Sequence, residues 1–238
     1  MAVWQSAMDP NRRAVVLASG GVDSSILLAE VAAQGMEVTP VYVRSGLYWE
    51  STELRWLARY IQALGFSSVK PVVELEGAAG VMDQHWSTTG YGVPGAFSDD
   101  REVYLPGRNL ILFANVTTFA AIRGIPRVYI GTLKGNSFPD ATPEFFDAMA
   151  RTASMALEKN VEILAPYRGL SKTEIVKRFS FLPLELTFSC LRPANDMHCG
   201  HCNKCAERSR AFNEAGFVDS TEYILPPYEA EIGPSPGR

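Results

Sequence analysis

The sequence predicts an α/β fold, a parallel sheet with helices on both faces, followed by a small C-terminal segment built around cysteines. Three observations predict it. Short apolar runs alternate with stretches of helical periodicity from residue 13 onward, the pattern of parallel strands joined by right-handed crossovers. A Ser-Gly-Gly turn joins the first run to the first helix. All four cysteines of the 238-residue chain fall within sixteen positions, Cys190, Cys199, Cys202 and Cys205. The expected division is residues 1–185 for the α/β domain and 186–238 for the cysteine segment, a last helix and a tail.

The elements follow in order. Residues 13–18 are apolar and read as a buried strand ending at Ser19-Gly20-Gly21. Residues 24–34 carry Ile26, Leu27, Ala29 and Val31 at helical spacing and stop at Gly35, a C-terminal capping residue. A second strand spans 38–43. Residues 51–64 form an amphipathic helix with Leu54, Leu57, Ala58, Ile61 and Leu64 on one face. A third strand spans 69–75. Residues 77–106 have no period and are rich in Gly, Ser, Thr and Asp; so long a connection reads as a lid, a binding segment or disorder. A helix over 107–123 leads to a strand over 127–131 and a Gly/Asn/Pro-rich loop over 131–141. Thr142 and Pro143 open the next helix. A strand over 161–164 precedes a capping box, Ser171-Lys-Thr-Glu174, and a short helix to Phe179. A helix over 204–215 and an extended Pro-rich tail from Pro226 complete the chain.

Composition bounds the function. Apolar residues make up 47% and charged residues 20%, as in ordinary globular proteins, and the net charge of −4 advertises no polyanion-binding face. No apolar stretch is long enough to cross a bilayer, and residues 1–13 contain nothing resembling a signal-peptide core. A cytoplasmic protein without a membrane partner is expected.

Ser19-Gly-Gly-Val-Asp-Ser-Ser25 sits at the strand-to-helix joint, where open α/β sheets bind ligands. Adjacent glycines let the backbone approach a phosphate, the helix N-terminus offers free N–H groups, and Ser19, Ser24 and Ser25 add hydroxyls. Asp23 makes sense there if it holds the turn or binds Mg²⁺. The segment is neither a Walker A loop nor a dinucleotide fingerprint. In the cysteine segment, two overlapping C-x-x-C pairs can wrap one tetrahedral zinc in a closed structural site. An iron–sulfur cluster is the rival and a disulfide pair the bland alternative. His198 and His201, inside the segment, are read as neighbours of the site.

The loop resembles the SGGxDS signature of the PP-loop ATP pyrophosphatases, which cleave ATP between its α and β phosphates. Combined with C-x₈-C-x₂-C-x₂-C, it resembles the 7-cyano-7-deazaguanine synthase family, QueC. Stretches from Leu105-Pro-Gly-Arg-Asn-Leu-Ile111 through Phe138-Pro-Asp140, Leu170-Ser-Lys-Thr-Glu-Ile175 and Leu184-Glu-Leu-Thr-Phe-Ser-Cys190 extend the likeness over about residues 14–216. The resemblance implies a Rossmann-like sheet of the adenine nucleotide alpha-hydrolase type with a zinc-binding C-terminal subdomain. It implies conversion of 7-carboxy-7-deazaguanine to the nitrile through an adenylate, with ammonia and two Mg²⁺-bound ATP, and often a homodimer. Carried over by position, Ser19, Gly20, Gly21, Val22, Asp23, Ser24, Ser25 and Val43 would bind ATP. Arg108 and Asn109 would lie near ATP or substrate, with Asp23, Lys172 and Arg108 catalytic. Phe138, Pro139 and Asp140 would meet the deazapurine. Two stretches depart from the family pattern. Tyr42-Val-Arg-Ser-Gly-Leu-Tyr-Trp-Glu50 replaces a Tyr-Gly-Gln-type segment, and Ala141-Thr142 stands where a Cys-Arg pair is common. A relative that couples the activated acid to another amine, such as a protein terminus, is therefore a second reading. A tRNA-modifying PP-loop enzyme is a third, and a non-catalytic zinc module a fourth.

Overall fold

The computed structural model describes residues 12–227; residues 1–11 and the tail expected beyond 227 lie outside it. Five parallel strands form one sheet in the order β3-β2-β1-β4-β5. They are β1 (Arg13–Leu17), β2 (Glu37–Arg44), β3 (Val73–Glu76), β4 (Arg127–Tyr129) and β5 (Glu162–Leu164). The helices are α1 (Val22–Ala33), α2 (Glu50–Leu64), the single turn α3 (Trp86–Thr89), α4 (Arg108–Ile122), α5 (Pro143–Leu157), α6 (Lys172–Arg178) and α7 (Asn203–Ala215). The strand order reverses at β1, so a crevice opens above the C-terminal ends of β1 and β4.

Alternation along β1 sends its side chains to two cores. Ala14 and Val16 meet Ile26 and Leu27 of α1, Ile175 and Val176 of α6, and Phe212 of α7. Val15 and Leu17 meet Leu112, Phe113 and Val116 of α4 and Phe146 of α5. Helices therefore cover both faces, as the near-continuous apolar strands require.

The third strand is shorter than the expected 69–75, and prolines are the reason. The Val38 N–H donates to Ser68 O at 2.9 Å and Val38 O accepts from the Lys70 N–H at 2.8 Å, so Val38 faces the third strand. Two residues on, Pro40 faces the same way and has no N–H; Pro71 has none either. The ladder breaks after the bridge Val38–Val69 and resumes at Val41–Val73.

Residues 77–106 are not a structureless lid. They contain α3 and two 3₁₀ turns, Ala79–Met82 and Asp100–Val103. They also pack on the cysteine segment. Val103 and Leu105 join Trp49, Trp56, Phe188 and the four cysteines in one apolar cluster. The Asn203 N–H donates to Pro94 O (2.9 Å), and Asn203 Nδ2 donates to Asp100 Oδ1 (3.0 Å). These pairings join positions about 100 residues apart, which no local periodicity could reveal.

Candidate active site

The turn after β1 places Gly20 at φ +76°, and a Cβ there would lie 3.0 Å from the Glu53 carbonyl oxygen and 3.3 Å from Leu57 Cβ. Only glycine suits both the left-handed backbone and the close approach of α2. Gly21 then starts α1 with extended backbone and no side-chain cap, which leaves the helix's first N–H groups to a ligand. Ser24 Oγ braces the turn, 3.2 Å from the Ser19 N–H, 3.1 Å from Ser19 Oγ and 3.3 Å from Gly21 O. The Phe188 N–H donates to Gly20 O at 2.7 Å, tying the approach to the cysteine segment onto the same turn.

A cavity of about 420 Å³ opens above this turn. Among the residues singled out from sequence, Ser19, Gly21, Asp23, Ser24, Val43, Arg108, Asn109, Phe138 and Lys172 line it. Gly20, Val22, Ser25, Pro139 and Asp140 do not: Gly20, Val22 and Ser25 are buried behind the turn, and Pro139 is exposed on the outer surface. Asp140 is buried behind the wall. Its Oδ2 accepts the Asn109 N–H at 2.9 Å and its carbonyl accepts Asn109 Nδ2 at 2.8 Å. The carboxylate thus caps α4, whose own N-cap is Gly107 and supplies no side chain. The expected cap on the following helix comes from Thr142, whose Oγ1 accepts the Phe145 N–H at 3.2 Å. Thr142, which stands where the resemblance leads one to expect an arginine, therefore serves helix α5.

Four charged groups alternate along one side of the cavity. Lys172 Nζ lies 3.5 Å from Asp23 Oδ2 and 2.7 Å from Glu207 Oε1, and Lys204 Nζ lies 2.6 Å from Glu207 Oε2. Burial pushes the Asp23 carboxyl above its ordinary range even against the attraction of Lys172, and Asp23 Oδ1 has no protein partner. Burial works against the Lys172 ammonium, but Asp23 and Glu207 hold its pKa above the usual lysine value. Burial also opposes the Glu207 charge, and Lys172 and Lys204 overcome it, so its pKa is lowered. The hydroxyl of Tyr42, another lining residue, donates to Glu53 Oε2 at 2.6 Å. Burial raises the pKa of Glu53 to about 7, with Arg108 pulling the other way. Arg108 Nε is itself buried without a protein partner.

The sequence reading missed Tyr42, Lys204, Glu207 and Gly131. Glu207 and Lys204 look like a solvated face of the last helix until α7 is docked. Gly131 lies two residues past the end of β4, and a Cβ there would lie 3.0–3.1 Å from backbone atoms of Asp23 and Ser24. The glycine lets the loop after β4 touch the start of α1.

The four cysteines are free, buried, and close enough that all ligand atoms lie within 4.8 Å of one another. Sulfur separations of 3.5 Å (Cys202–Cys205), 3.9 Å (Cys199–Cys205) and 4.0 Å (Cys190–Cys202) fit a tetrahedron with about 2.3 Å bonds, whose edge is about 3.8 Å. N–H groups of Leu191 and Cys199 point at Cys202 and Cys190 sulfurs (3.4 and 3.3 Å), as thiolates prefer. The donor set therefore fits a metal ion. Neither histidine belongs to it. His198 is fully buried, its Nε2 accepts the Ser189 N–H at 2.8 Å, and burial, aided by Arg208, lowers its pKa to about 3. His201 is exposed, with Nδ1 2.9 Å from Cys199 O.

The family model described as Queuosine biosynthesis protein QueC matches residues 13–216. The chain belongs to the QueC family. It is 33% identical over 229 residues to the 7-cyano-7-deazaguanine synthase of Anaeromyxobacter dehalogenans, covering 89% of this chain and 96% of that one. It is 34% identical over 237 residues to the enzyme of the same name from Syntrophobacter fumaroxidans, covering 90% and 97%. Among solved structures, a 4-thiouridine synthetase in complex with RNA and bound ATP is similar with a TM-score of 0.47 and 18% identity, over 86% of this chain and 50% of that one. The QueC match spans both the phosphate turn and the four cysteines. No described helix is long and apolar enough to cross a membrane.

Proposed function

We propose that this chain converts 7-carboxy-7-deazaguanine to 7-cyano-7-deazaguanine, with ATP cleaved to AMP and pyrophosphate and with ammonia as nitrogen donor. The observation that carries the reading is the convergence of an uncapped helix start, Arg108 and Lys172 on one cavity in a QueC-family chain.

In this reading the β and γ phosphates lie on the first N–H groups of α1, with Ser19 and Ser24 around them and Lys172 alongside. Asp23, which lines the cavity and has one buried oxygen without a protein partner, would hold Mg²⁺, which would supply charge neutralisation for the phosphates. Val43 would meet the ATP and Phe138 the deazapurine, and both line the cavity. A substrate carboxylate oxygen attacks the α phosphorus, the bond to the β-phosphate bridging oxygen breaks, and pyrophosphate leaves with the electron pair. Ammonia adds to the acyl carbon, and AMP and one proton depart to leave the amide. The amide oxygen then attacks the α phosphorus of a second ATP with release of pyrophosphate and one proton, and loss of AMP and a second proton gives the nitrile. Arg108, which lines the cavity, would meet developing phosphate charge, and Asp140 would hold it there through the start of α4.

The cysteine cluster is read as a structural zinc site, the second part of a 186–238 segment whose role is to dock α7. The cytoplasm is the expected location and a homodimer the expected assembly. Ala141-Thr142 favours a second reading, coupling of the acid to another amine such as a protein terminus, because the arginine of the family pattern is replaced by a helix cap.

The test is a single assay with purified protein, Mg²⁺-ATP, ammonium and the acid, following AMP, pyrophosphate and product mass. Nitrile supports the first reading. AMP with product ending at the adenylate or amide turns the search to another amine. Absence of acid-dependent AMP overturns both.

A further inference from the structure

We propose that the first turn of α7 is a second phosphate-contacting wall, with Lys204 binding the polyphosphate and Glu207 acting as the positioning residue that spaces Lys204 and Lys172. The proposal rests on the ATP reading of the cavity and adds residues that the phosphate signature does not contain.

Lys204 and Glu207 line the same cavity as Ser19, Gly21 and Asp23, although 180 or more residues separate them in sequence. One carboxylate takes two ammoniums, Lys172 at 2.7 Å and Lys204 at 2.6 Å, one on each oxygen. A carboxylate beside phosphate is repulsive on its own. Here it fixes the distance between two cations, so that a polyphosphate meets a preset pair instead of two flexible chains. Lys204 is a third exposed at its side chain, which leaves ammonium hydrogens free for a ligand. The turn bearing it cannot swing away, because Cys202 and Cys205 flank Lys204 in sequence and both are buried in the cluster. Asn203, between them, is tied to Pro94 and Asp100.

The experiment measures pyrophosphate and Mg²⁺-ATP affinity by calorimetry, with turnover in parallel, on metal-loaded wild type, Lys204→Met, Lys204→Arg and Glu207→Gln. Thermal midpoint and metal content are checked for each. Lys204→Met should weaken pyrophosphate by about tenfold or more, the loss of one charge-assisted contact, and Lys204→Arg should restore most of it. Glu207→Gln keeps the shape, removes the negative charge and frees both lysines. It should bind pyrophosphate as tightly as wild type or more tightly, while kcat falls about tenfold or more. A merely structural glutamate would instead lower the thermal midpoint and raise KM. Wild-type affinity in Lys204→Met, or unchanged kcat in Glu207→Gln, overturns the proposal while leaving the synthase reading intact if nitrile still forms. Conversely, wild type that binds pyrophosphate but ignores the acid overturns the synthase reading and leaves this one standing.

Discussion

Replacing Asp140 by alanine separates two roles that the sequence could not. Asp140→Ala removes the acceptor of the Asn109 N–H, a 2.9 Å bond between buried or half-buried partners, and leaves the 2.8 Å bond from Asn109 Nδ2 to the backbone carbonyl of residue 140 in place. Loss of a helix cap costs about 1–2 kcal/mol, and an orphaned buried donor costs about 1–3 kcal/mol. The two descriptions overlap, so about 2–3 kcal/mol is expected in total. For a chain of this size that lowers the thermal midpoint by about 4–12 °C. Because Arg108 and Asn109 form the first turn of α4 and line the cavity, turnover should fall as well. Asp140→Asn keeps an oxygen acceptor and should recover more than half of both losses. Scanning calorimetry beside steady-state kinetics reads the result. An alanine variant with wild-type melting but lost affinity for the acid would refute the capping argument and put the carboxylate on the substrate.

Further outcomes follow from the same geometry. Lys172→Met leaves Asp23 and Glu207 facing the cavity without their shared cation, and kcat/KM for ATP should fall by about 10²-fold or more in an AMP-release assay. Gly131→Ala forces a methyl against backbone of Asp23 and Ser24, so KM for ATP should rise more than stability falls; an unchanged KM would argue against the loop after β4 shaping the turn. Glu53, raised from an ordinary 4.5 to about 7 by burial, is preferentially protonated in the fold. Its contribution is therefore favourable below about pH 4.5 and is lost as pH rises toward and through 7, by at most about 3 kcal/mol. Denaturant melts of Glu53→Gln should be flatter than wild type between pH 5 and 8, and parallel curves would contradict the assignment. Cys205→Ser should lower bound metal below one ion per chain in elemental analysis and expose the α7 amides to hydrogen exchange; full metal loading in that variant would rule out four-sulfur ligation.

Much of the fold was legible because its signals are local. The turn after β1, the Thr142 cap and the Ser171–Glu174 capping box each depend on residues within a few positions of one another, and each stands where the spacing placed it. The shortened β3 was legible in part: Pro71 was visible, but its effect needed the register that turns Pro40 toward the third strand. The role of Asp140 was not legible. Its partner lies 31 residues away, and a carboxylate just before a helix reads as that helix's own cap. Residues 77–106 lacked periodicity because much of their order comes from contacts that Pro94, Gly95 and Asp100 make with Cys202 and Asn203.

By itself the sequence determined the parallel α/β class, the phosphate turn and the four-cysteine cluster, because backbone sterics, apolar periodicity and ligand spacing act over short stretches of chain. Only the tertiary structure decided which charges share the cavity. Docking α7 beside α6 and the start of α1 sets Lys204 and Glu207 against Lys172 and Asp23, and electrostatics depends on distance through space, which separation along the chain does not report.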